Sequence, residues 1–112
     1  MNTTLLKELS LEVLKQLDEY SKVRIITSAS WSVHDTRKVI TLLIAELDKN
    51  EDYISERVLR AVMDVGAISV KNFEETPLGE SIDRLFHELY VGIPDFKNLH
   101  RLGNDFGKGN PI

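Results

Sequence analysis

Four short stretches of this chain combine residue types that could do chemistry, and each can be tested by spacing. Asp48-Lys49-Asn50-Glu51-Asp52 matches the first three oxygen positions of a calcium-binding loop. That loop needs Gly at its sixth position for a sharp turn and a bidentate Glu at its twelfth, whereas Tyr53 and Leu59 stand there. The stretch therefore reads as a helix connection with a capping residue. His87-Glu88 resembles the start of a zinc-protease helix, but Val91 occupies the position of the second ligand. Gly103, Gly107-Lys108 and Gly109 hint at a phosphate cradle, yet the glycine spacing is short and no Ser or Thr follows the lysine. His34-Asp35 near Ser32 has the types needed for proton transfer, and the same residues suit a helix N-terminus, where Asp35 complements the dipole. His34, His87 and His100 are scattered, so an enzyme would need tertiary convergence. We expect no catalytic, cofactor or metal site.

These residues must be carried by a small scaffold. The chain has 112 residues, 42% of them hydrophobic, which suits one domain spanning 1–112 with a modest core. It has no Cys, so thiolate chemistry and disulfide staples are excluded and packing must hold the fold. No stretch approaches the roughly 20 apolar residues of a membrane span. The start, Met1 to Glu8, lacks a basic run followed by an apolar one. The expectation is a cytoplasmic protein that is not exported and has no membrane partner.

Helical periodicity dominates. Leu6, Leu9, Val13, Leu17 and Tyr20 recur on one stripe and predict a first helix over about 4–22. The Ser/Thr-rich stretch up to Ser32 competes for backbone hydrogen bonds and predicts a kink or loop, with Trp31 folded back on the core. A second helix is expected from Ser32 or Asp35 to about Lys49. Its apolar residues, from Val39 to Leu47, cover most of the circumference and mark it as central. Asn50 or Asp52 is expected to cap a third helix carrying Ile54, Val58, Ala61, Val62 and Val65, with Gly66 as its stop. Ala67 to Phe73 fits either a short helix or an extended linker. Thr76-Pro77 is a strong start for a fourth helix bearing Leu78, Ile82, Leu85, Phe86 and Leu89, with Glu80 and Arg84 as a favourable pair, and Gly92-Ile93-Pro94 ends it. The fold class is all-α: a small antiparallel bundle of four or five helices, with an irregular Gly/Asn/Pro-rich C-terminal extension over 91–112.

Charge is the remaining signal. With 18 acids against 14 Lys and Arg the net charge is −4, which argues against direct nucleic-acid binding. The acid is concentrated. Glu46, Asp48, Glu51, Asp52 and Glu56 face Lys49 alone within 46–56, and Glu74, Glu75, Glu80, Asp83 and Glu88 face Arg84 alone within 74–88. Each is a solvated helix surface or a face that steers a basic partner.

The run Val65 to Leu78 (VGAISVKNFEETPL) and the ending Arg101 to Ile112 (RLGNDFGKGNPI) resemble small bacterial proteins encoded beside polymorphic toxins. These are immunity proteins of contact-dependent inhibition and related systems. The resemblance implies a cytoplasmic, non-enzymatic protein without a cofactor that binds one cognate toxin domain and blocks its active site. Many such toxins are nucleases with basic clefts.

A protein of that kind must present carboxylates where phosphates would sit, together with apolar anchors. Two surfaces qualify: Glu46, Asp48, Glu51 and Asp52 around Tyr53, and Glu74, Glu75, Asp83 and Glu88. Phe106, set among flexible glycines, can dock on its own bundle or on a partner. The alternative is a self-associating regulatory or scaffolding helical module, for which a homodimer without a basic partner is expected.

Overall fold

The computed structural model describes residues 2–23, 30–49, 53–93 and 96. Four helices occur among them: α1 (Thr3–Val23), α2 (Ser30–Lys49), α3 (Glu56–Asn72) and α4 (Pro77–Gly92). No described residue lies in a strand.

Helix α1 begins on Asn2, whose side-chain oxygen accepts the Leu5 N–H at 3.0 Å and satisfies one of the free amides of the first turn. Its buried stripe is Leu6, Val13 and Leu17, as the periodicity requires. Helix α2 starts at Ser30, ahead of the expected Ser32 or Asp35. It buries Thr36, Ile40, Leu43 and Leu47, a spacing of four, three and four residues that lines one face. Leu42 is partly exposed and Ala45 is exposed. The helix is amphipathic rather than central. Residues 24–29, where a kink or loop is expected, lie outside the described residues, as does the side chain of Trp31.

Helix α3 departs from expectation at both ends. Its cap is Ser55, with extended backbone and a hydroxyl that accepts the Val58 N–H at 3.4 Å. Gly66 does not stop it. A Cβ there would meet the Phe86 ring at 2.7 Å, so this glycine serves helix packing rather than chain reversal. The helix runs on through the stretch after Ala67 to Asn72 and ends at Phe73, whose N–H donates to the Ser69 carbonyl at 2.8 Å. The Phe73 ring is fully buried and meets Tyr20 of α1 edge-on, with centroids 5.1 Å apart. Burying such a ring stabilises by about 2–3 kcal/mol.

The start of α4 matches the sequence signal. Thr76 is extended, its hydroxyl oxygen accepts the Gly79 N–H at 3.0 Å and its hydroxyl donates to the Phe73 carbonyl at 2.5 Å, while Pro77 takes the first helical position. The Phe73 carbonyl also closes on Gly79, where a Cβ would overlap it. The helix continues through Val91 to Gly92, and Ile93 caps it by donating to the Leu89 carbonyl. Of the extension expected over 91–112, Val91 and Gly92 are therefore the last turn of α4. Phe96 is helical and fully buried against Phe86 and Tyr90, at 5.7 and 5.1 Å between centroids. Its anchoring role has no counterpart in the sequence reading.

Each helix touches two neighbours, α1 with α2 and α4, and α3 with α2 and α4. The diagonal pairs do not touch among the described residues. Ion pairs Lys7–Asp48 (2.6 Å) and Arg37–Asp18 (2.7 Å) join opposite ends of α1 and α2 and show that the two run antiparallel. Phe73 against Tyr20 puts the α3–α4 turn at the C-terminal end of α1. The apolar core runs between the four helices, built chiefly of Leu, Ile and Val together with Phe73 and Phe96.

Candidate functional site

The first acidic segment is partly consumed by the fold. Glu46, near the end of α2, accepts the Ser55 backbone N–H at 2.9 Å and so ties α2 to the cap of α3. That backbone hydrogen bond, helped by the Ser55 hydroxyl, Lys49 and Arg57, holds the Glu46 carboxyl below its ordinary value against the opposing effect of burial. Asp48 is paired with Lys7, and Glu56 reaches Arg60 at 3.4 Å one turn on. Tyr53 is 62% exposed between them. Glu51 and Asp52 lie outside the described residues.

The second segment is arranged differently. Glu74 and Glu75 form the turn after α3, and Glu80 and Asp83 lie on successive turns of α4, three residues apart and on one face. All four are exposed. None pairs with a cation among the described side chains, and Glu80 forms no ion pair with Arg84 there. Glu80 sits in the first turn of α4, where its charge also complements the helix dipole. Glu88 is half-buried and so stands apart from the four.

Glu75 carries the one positive φ of a non-glycine residue among the described positions, 62°. A left-handed backbone costs an L-residue on the order of 1 kcal/mol, and Gly or Asn is the economical choice there. The chain places a carboxylate at this position instead. The turn after α3 therefore holds a local backbone strain at an acidic residue. The sequence showed the acids of this segment but carried no signal for the strained backbone beneath one of them.

His34 and His87 are exposed on α2 and α4, two helices that do not touch, so they share no site. No group of three or more His, Asp or Glu among the described residues is arranged to hold a metal ion. Phe106 lies outside the described residues. No described helix is long and apolar enough to cross a membrane. Comparison with protein-family models, curated proteins and solved structures gave no match to this chain.

Proposed function

We propose that this protein is a cytoplasmic immunity protein that binds and blocks a basic toxin domain, a nuclease by preference, through the acidic turn between α3 and α4. The observation that carries the reading is the contrast between the two acidic segments. Glu46 and Asp48 are engaged by Ser55 and Lys7, whereas Glu74, Glu75, Glu80 and Asp83 are exposed and unpaired among the described side chains. Unpaired carboxylates lose no internal partner when they meet a cation, so their attraction goes to complex formation. The strained backbone at Glu75 supports the same surface.

In this reading the four carboxylates occupy the positions that substrate phosphates would take in a basic cleft. They speed encounter by steering, and exposed Pro77, two residues after Glu75, offers an apolar contact at the same turn. Inhibition is steric and electrostatic. It needs no catalysis and no cofactor from this chain.

The test is capture from the source bacterium at low salt on the immobilised protein, with mass spectrometry of what elutes as salt rises. A single basic domain eluting at moderate salt supports the proposal. A blank column, or copies of this chain alone, removes it and favours the self-associating module.

A further inference from the structure

The outer face of α1 and α2 carries a charge pattern that is its own complement. On α1 the residues Lys7, Leu11, Leu14 and Asp18 follow each other at intervals of four, three and four, one continuous stripe of a helix. On α2, Arg37, Thr41, Ile44 and Asp48 repeat that spacing. The two ion pairs, Lys7–Asp48 and Arg37–Asp18, set one antiparallel register. Leu11 therefore stands level with Ile44, and Leu14 level with Thr41.

The face thus has four charged corners around a middle of Leu11, Leu14, Ile44 and Thr41. At one end α1 is positive and α2 negative; at the other the signs are reversed. Leu11, 55% exposed, lies between the corners with Leu14 and Ile44 half-buried beside it.

An isologous dimer requires a patch that complements itself under a two-fold axis lying in the plane of contact. Alternating corners meet this condition for either such axis. If the axis runs along the helices, Lys7 falls over the partner copy's α2 acid. If it runs across them, Lys7 falls over the partner copy's α1 acid, and Leu11 falls over the partner's counterpart of Leu14. Every corner meets its opposite in both cases. Two helices about 30 Å long and about 10 Å apart offer on the order of 600 Å² per copy, near the lower end of stable interfaces.

We propose that the α1/α2 face is a homodimer interface, formed at micromolar concentrations by a second copy of this chain. It stands whether or not a toxin partner exists.

Sedimentation equilibrium at low salt over roughly 1–200 μM tests it. The parent should pass from monomer to dimer in that range, and Leu11→Glu, a change at an exposed position, should weaken association at least ~10-fold with an unchanged circular dichroism spectrum. A second variant reverses all four corners, Lys7→Glu, Asp18→Lys, Arg37→Glu and Asp48→Lys, which keeps both internal ion pairs and the self-complementary pattern. It should associate with itself, but mixed with the parent it should form at least ~10-fold fewer mixed dimers than random pairing gives, because like charges then face each other. A parent that stays monomeric throughout, a Leu11→Glu protein that associates like the parent, or statistical mixing with the reversed chain would each overturn the proposal.

Discussion

Thr36 offers the most quantitative test of how this bundle is held together. Its side chain is fully buried on the core face of α2, and its hydroxyl oxygen has no hydrogen-bond partner among the described residues. Thr41, five residues further on, donates to the Arg37 carbonyl at 2.8 Å, and buried Ser10 donates to the Leu6 carbonyl at 2.7 Å. Burying a hydroxyl without a partner costs about 1–3 kcal/mol. Thr36→Val replaces that hydroxyl with a methyl of similar size, keeps the β-branch, and leaves helix propensity almost unchanged. The variant should be about 1–2 kcal/mol more stable, a rise of roughly 4–8 °C in midpoint for a domain of this size. Thr36→Ser makes the reciprocal change: it keeps the unpaired hydroxyl, loses a buried methyl, and should cost about 1 kcal/mol or more. Urea unfolding followed by circular dichroism measures both, provided the slope with denaturant stays constant. A Thr36→Val protein no more stable than the parent would refute the reasoning, because it would mean the hydroxyl is satisfied in solution.

Glu75→Gly should relieve the left-handed strain and raise stability by up to about 1 kcal/mol while weakening partner binding; a gain in both would deny the carboxylate a role. The two close-packed glycines should differ. Gly79→Ala drives a methyl into the Phe73 carbonyl and should cost about 2 kcal/mol or more, whereas Gly66→Ala meets only the edge of the Phe86 ring and gains helix propensity, so its loss should be smaller by thermal melting. Glu46 has a folded pKa below the ordinary 4.5, so its contribution is fully present above that value and disappears as pH falls through the lower folded value. The stability difference between the parent and Glu46→Gln should therefore hold from neutral pH to about 5 and close below it, and a constant gap down to pH 3 would contradict the Ser55 hydrogen bond.

The parts of the fold that were legible in the sequence rest on local chemistry. Thr76-Pro77 announces α4 because a capping hydroxyl and a proline at the first position act within four residues. The α1 stripe from Leu6 to Leu17 is legible for the same reason. The errors are tertiary. Gly66 carries the usual residue type of a helix stop, but its cause is the Phe86 ring, which belongs to another helix. Asn50 and Asp52 are good caps by type, yet Ser55 does the work, supported by a Glu46 carboxylate from the preceding helix. Phe96 carries no local signal because Gly92-Ile93-Pro94 marks an ending, and the Phe86 and Tyr90 rings it packs against lie on another element. The candidate surfaces follow this pattern. Both acidic segments are visible in the sequence, but the pairing of Asp48 with Lys7 across two helices and the backbone angle at Glu75 are tertiary features that no local pattern carries.

In the function proposed for this protein, the α3–α4 turn is the surface that meets a basic partner. It is tested most directly by titrating the captured toxin domain, by calorimetry at several salt concentrations, against three proteins: the parent, Glu74→Lys/Glu75→Lys/Glu80→Lys/Asp83→Lys, and Asp48→Lys. We predict that the fourfold reversal lowers affinity at least ~100-fold and flattens the salt dependence, while Asp48→Lys stays within a few-fold of the parent. Unchanged binding by the folded fourfold variant, or a larger loss from Asp48→Lys, would contradict the account.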